Sequence, residues 1–182
     1  MKSDIRQILL ELHALRGVDF VRQLKEITAR REFRPYGTDT EIYYVGGDDD
    51  TDFPRLVDAA RKAVALGYRV YILPNPHGIR TADFIFERKG VYRMYDLKTV
   101  YGKNSVESQL LDSIDQANRI LLNMTSEYNP RLLAKGIRRY FEHNPNALEV
   151  LIMKGRRTIS VIREDTAGQH YIRNFMMKYT QK

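Results

Sequence analysis

The chain has 182 residues, 43% of them hydrophobic and 29% charged, a balance that excludes collagen-like, long disordered and coiled-coil architectures. It contains no cysteine, which excludes disulfides, cysteine-ligated zinc, iron–sulfur clusters and thiol catalysis. Lys and Arg number 30 against 23 Asp and Glu, a formal charge of +7, which points to a polyanionic partner without naming it.

The surplus is local. The net is −2 over residues 1–50, +4 over 51–100, zero over 101–150 and +5 over 151–182. No apolar run reaches the ~18 residues that span a bilayer. The first residues lack the apolar centre of a secretory signal, so a cytoplasmic location is expected.

In chain order, Ser3 is a helix cap, and Ile5, Ile8, Leu9, Leu12 and Leu15 recur at helical spacing up to Gly17. Phe20, Val21, Leu24 and Ile27 extend a second stripe to about Arg31. Residues 35–40 read as a loop, 41–45 as a short strand, and the acidic run 46–52 as a solvated loop without the spacing of a calcium site. Pro54 opens a helix whose apolar face is Leu56, Val57, Ala60, Val64 and Leu66, and Gly67 ends it. Strands are predicted over 68–73, 82–86 and 91–98, the last two a hairpin turning at Lys89-Gly90. A helix over 105–118, a buried strand over 120–124 and a helix from Pro130 to about Phe141 follow. A hairpin of 148–153 with 158–162 and a helical tail from Gln169 complete the chain. Strands interleaved with helices predict an α/β protein with a mixed sheet. Residues 1–50 are expected to form an N-terminal helical extension, and 51–182 the main domain.

Side chains at i and i+2 share one face of a strand, so Asp96 and Lys98 point the same way. A hairpin turning at residues 89 and 90 sets residue 83 opposite 96, so Asp83 would join them. Two adjacent carboxylates repel, and a divalent cation relieves that. Hard oxygen ligands suit Mg2+ or Mn2+, and a nearby lysine can neutralise charge at a phosphate. About one acid-x-Lys match is expected by chance in a chain this rich in both, and Glu87-Arg88-Lys89 is a second one. It runs into the glycine turn, whereas Asp96-Leu97-Lys98 sits inside a strand after Asp83. The competing reading of Asp96 and Lys98 is an ordinary charge pair.

The order helix, three strands, helix, strand over 54–124, with Ala82-Asp83 and then Asp96-Leu97-Lys98, resembles the PD-(D/E)XK nuclease superfamily with its restriction-endonuclease-like αβββαβ core. The stretches Ala82-Asp-Phe-Ile-Phe, Tyr95-Asp-Leu-Lys-Thr and Ser105 to Asn118 are more narrowly similar to the C-terminal nuclease domains of contact-dependent inhibition toxins. Related domains occur in phage and conjugative elements. Ala82 stands where the family has proline. The resemblance implies metal ligation by Asp83, Asp96 and the Leu97 carbonyl, with Asp58 a weaker ligand and Lys98 the catalytic amine. Gln109 and Gln116, two helical turns apart, would orient water, Lys98 or a phosphate. A toxin would have an inhibitor protein as partner.

Arg131, Lys135 and Arg138 on the helix after Asn129, and Lys154, Arg156 and Arg157 at the last hairpin, are candidate phosphate contacts or ordinary exposed cations. His77, in the loop before Asp83, is a candidate base or a structural residue. His143 complements a helix dipole. Residues 1–35 either pair two copies or pack on their own chain. The expected activity is metal-dependent phosphodiester hydrolysis in RNA, tRNA or DNA. The alternative is a non-catalytic nucleic-acid-binding or interaction module that keeps the fold.

Overall fold

A computed structural model of the chain describes residues 4–46, 52–75, 81–102 and 105–182. Ser3, His77 and most of the acidic run 46–52 lie outside the described residues. The chain divides into two compact units, Met1–Tyr95 and Asp96–Lys182.

In the first unit, the Asp4 carboxylate accepts from the Arg6 N–H at 3.2 Å and caps α1 (Ile5–Glu11). A 3-10 turn over Leu12–Ala14 leads to α2 (Gly17–Thr28), whose Leu24 and Ile27 are fully buried while Val18 is exposed. The stretch expected as a loop carries a strand, β1 (Arg34–Tyr36), antiparallel to β2 (Asp39–Tyr44). Helix α3 (Phe53–Ala65) has Pro54 in its first turn and buries Leu56, Val57, Ala60 and Ala63, packing on β2 and on β3 (Arg69–Ile72). Strand β2 runs parallel to β3, and β4 (Phe84–Arg88) runs antiparallel to β3. The hairpin of β4 with β5 (Val91–Val100) pairs Phe84 with Tyr95 and Arg88 with Val91, the register that a turn at Lys89-Gly90 sets. Lys89 and Gly90 have φ of 52° and 78°, the left-handed geometry that a two-residue turn needs. Phe86 packs on both Tyr95 and Tyr68 at 5.1 Å.

The second unit begins inside β5. Its residues 96–100 run parallel to β6 (Arg119–Met124), β6 runs parallel to β7 (Glu149–Lys154), and β8 (Arg157–Val161) closes antiparallel on β7. The hydrogen-bonded strand order is β1 to β8 in sequence, a mixed eight-stranded α/β sheet. Over 54–124 the observed order α3, β3, β4, β5, α4, β6 is the one expected.

Helix α4 spans only Val106–Leu111, with turns after it, where the sequence predicted helix to 118. Asp112, Ser113 and Asp115 are weak helix formers that compete for nearby backbone groups, which accounts for the early stop. Helix α5 (Pro130–His143) is capped by the Asn129 side chain, which accepts from Arg131 and Leu132 N–H at 3.0 and 3.1 Å. It buries Leu133, Ile137, Tyr140 and Phe141 against Val100, Ile120, Leu122, Val150 and Ile152 of the sheet. The tail forms α6 (Arg163–Ala167) and α7 (Tyr171–Thr180), the latter seating Tyr171, Phe175 and Tyr179 in the same core. Among the described residues no helix is long and apolar enough to cross a membrane.

At Gly136, α5 comes close to α4: a Cβ there would lie 3.4 Å from Cα and Cβ of Glu107. A Gly136→Leu variant is expected to lose about 1–3 kcal/mol of stability by overpacking. Gly136→Ala should change far less, because the gain in helix propensity of up to ~1 kcal/mol offsets the crowding. Urea denaturation measures both, and a Leu variant with the parental midpoint contradicts the crossing.

Candidate active site

In the second unit, Asp96 and Lys98 share the face of β5 that carries Val100, the face covered by α5. Asp96 is 4% exposed. The Lys98 ammonium lies 3.0 Å from Asp96 Oδ2 and donates to Gln116 Oε1 at 2.9 Å. A buried carboxylate is costly without a counter-charge, and Lys98 supplies one from the same strand face. Tyr140 of α5 is near enough for the Asp96 charge to act on it. Burial pushes the Tyr140 hydroxyl up to about 12, the Asp96 charge adding to the rise, so it stays protonated at neutral pH.

Gln116 reaches Lys98 because α4 ends early. The Ser113 hydroxyl donates to the Gln109 carbonyl at 2.6 Å, and the Gln116 N–H donates to the Ser113 carbonyl at 3.0 Å. These bonds bend the chain away from the helix axis. The expectation that Gln109 and Gln116 share a helix face is therefore corrected: Gln109 is on α4 and Gln116 in the turn after it. The structure brings together Asp96, Lys98 and Gln116. Leu97 is buried and pairs with Leu121 in the β5–β6 ladder.

Asp83 belongs to the first unit. It forms a bend one residue ahead of β4, where the sequence predicted an early residue of the strand. Its N–H donates to the Tyr95 carbonyl at 3.0 Å and its carbonyl accepts from the Leu73 N–H at 2.9 Å, so two neighbouring strands fix its backbone. Asp58 lies on the exposed side of α3. Among the described residues no three His, Asp or Glu side chains cluster as a metal site. The second unit offers a buried carboxylate at Asp96 and a carbonyl at Leu97. These are hard oxygen donors of the kind Mg2+ takes, and water would fill much of the remaining shell.

The basic candidates divide by what already holds them. Arg131 and Lys135 are exposed on α5. Arg138 donates to the Thr166 carbonyl at 3.1 Å and sits over the Tyr171 ring, joining α5 to the tail. Lys154 and Arg157 donate to backbone carbonyls at the end of α7. Arg156 is exposed at the hairpin tip. His143 Nδ1 lies 2.8 Å from the Arg139 carbonyl in the last turn of α5, as a dipole-complementing residue would. Sequence reasoning missed Tyr140, which its apolar stripe could have shown. It also missed Thr99 and Asn123, a buried polar pair in register across β5 and β6.

No protein-family model matches the chain, and no curated protein matches it. One solved structure that is similar is the CdiA-CT/CdiI toxin and immunity complex from Burkholderia pseudomallei, at 17% identity and a TM-score of 0.45. The match covers 63% of this chain and 89% of that one. The functional reading rests on the residues themselves.

The charge pair should be energetically coupled. Lys98→Met strands the Asp96 carboxylate and is expected to cost about 3–5 kcal/mol. Asp96→Asn with Lys98→Met should recover much of that loss. A denaturation double-mutant cycle in which the two effects simply add contradicts the pairing.

Proposed function

We propose that the chain is a metal-dependent nuclease that hydrolyses phosphodiester bonds of nucleic acid. One observation carries the reading: a lysine ammonium held between a buried carboxylate and an amide carbonyl, at Lys98, Asp96 and Gln116. The element order around it and the hairpin register of β4 with β5 support the reading. Asp83 enters the proposal from the sequence resemblance alone.

In this reading Asp83, Asp96 and the Leu97 carbonyl hold Mg2+ or Mn2+. Such a cation supplies charge neutralisation at the phosphate and lowers the pKa of water. Lys98 carries a positive charge to the scissile phosphate, where charge develops in the transition state. Gln116 is a positioning residue that fixes where the ammonium sits, and Asp96 holds the ammonium from the other side. Arg131 and Lys135 are placed to meet backbone phosphates farther along the strand. Gln109 and Asp58 are given no role.

A second reading is favoured by the same pair. Lys98 already has two acceptors, so the triplet also suits a structural charge pair in a nucleic-acid-binding module without turnover.

Incubation with plasmid, single-stranded DNA and total tRNA, with and without magnesium, separates the two. Magnesium-dependent products are expected on at least one substrate. Lys98→Ala and Asp96→Ala should each cut at least about 100-fold more slowly, the scale of losing one preorganised electrostatic group. Thermal melting confirms that the variants fold. Parental cleavage by Asp96→Ala removes the site assignment, and binding without any products favours the module.

A further inference from the structure

Lys154-Gly155-Arg156-Arg157 places three cations on one tight turn. Gly155, at φ 57°, lets the chain reverse within two residues, so Lys154 and Arg157 face each other as the last pair of the β7–β8 ladder and Arg156 stands at the tip. Beside this turn is an open cleft of about 970 Å³ whose wall includes Ser126, Glu127, Lys154, Arg156, Arg157 and Lys182. The cleft lies wholly within the second unit.

Its cations are of two kinds. Lys154 donates to the Tyr179 carbonyl at 2.9 Å and sits 4.0 Å from the Tyr179 ring centroid. Arg157 donates to the Lys178 and Tyr179 carbonyls at 2.9 and 2.6 Å. Neutral carbonyls fix these side chains without cancelling their charge, and the α7 C-terminus offsets only about half a unit. Arg156 and Lys182 are exposed. Among the described residues of the cleft wall the one carboxylate side chain is Glu127, 87% exposed and 3.6 Å from Lys154. Four cations against one solvated carboxylate leave a positive cleft with two side chains already immobilised, so little ordering cost remains for an anion that enters it.

The Ser126 hydroxyl accepts from the Gly102 N–H at 2.6 Å, tying the cleft wall to the end of β5. Lys98 lies two residues before that strand ends at Val100, ~7 Å along the strand. Val100, Met124 and Lys154 are in register across β5, β6 and β7, which puts the cleft cation Lys154 two strands, ~10 Å, across from that strand end.

We propose that this cleft binds the phosphodiester backbone of nucleic acid, with Arg156 and Lys182 contacting phosphates and Lys154 and Arg157 providing a fixed positive floor. The proposal rests on the nucleic-acid reading above, but it concerns binding and not turnover. It predicts a footing for the substrate that persists when hydrolysis is abolished.

The experiment uses the full parent chain, without divalent cation so that hydrolysis is silent, and a fluorescein-labelled single-stranded oligonucleotide titrated across salt concentrations. Adding Arg156→Ala and Lys182→Ala should reduce the slope of log affinity against log salt by about 1.4, roughly 25-fold in affinity at 0.1 M salt, as for two lost phosphate contacts on a single strand. The control adds Arg173→Ala and Lys178→Ala instead, removing the same charge from the exposed face of α7. The proposal holds if the cleft pair lowers the slope and the control pair does not. It is overturned if both pairs act alike, or if the cleft pair leaves the slope unchanged. Cleavage by the parent is scored separately. Cleft-dependent binding with no parental cleavage refutes the nuclease reading and keeps the cleft, while parental cleavage with an unchanged slope does the reverse.

Discussion

Parallel strand pairing dictates how the second unit is built. Parallel neighbours cannot be joined by a tight turn, so β5 to β6 and β6 to β7 each need a crossover. The crossovers are α4 with its following turns, and α5. Both contribute to the layer over the face that presents Val100, Ile120, Leu122, Val150 and Ile152. Asp96 and Lys98 are on that face too, so two charged residues lie beneath a helical layer that otherwise accepts only apolar ones. Their mutual pairing, with the Gln116 carbonyl as further acceptor, is what makes the position tolerable.

The same constraint explains the distribution of arginines. Every helix, crossover or tail, ends with orphan carbonyls that need donors. Arg163 donates to the Phe141 and Asn144 carbonyls at 2.6 Å and closes the end of α5, while Lys154 and Arg157 close the end of α7. Part of the basic surplus is thus internal wiring of helix ends.

The sequence carried most of the order of elements because periodicity and punctuation agreed. Gly67 and Lys89-Gly90 marked turns that exist, and the hairpin register followed from the turn alone. What it did not carry was set by tertiary contacts. Arg34–Tyr36 has proline at its centre and becomes a strand only as an edge partner of β2. Residues 112–118 have the look of a helix continuing, yet Ser113 and its neighbours turn the chain toward β6. Of the site, the Asp96–Lys98 pairing was legible from a spacing of two in a strand. The Gln116 contact was foreseen for a helical geometry that does not occur. The engagement of Arg138, Lys154 and Arg157 depends on a tail helix whose docking leaves no local pattern.

The docking of α7 also bears on synthesis. Tyr171, Phe175 and Tyr179 fill core space over Ile159 and Val161, and the Tyr179 carbonyl is the acceptor for both Lys154 and Arg157. A nascent chain that has emerged only as far as β8 holds an open apolar surface, and two of its three clustered cations, Lys154 and Arg157, lack their acceptors. The second unit therefore matures late on the ribosome, and until α7 arrives its exposed face is a natural client for chaperones.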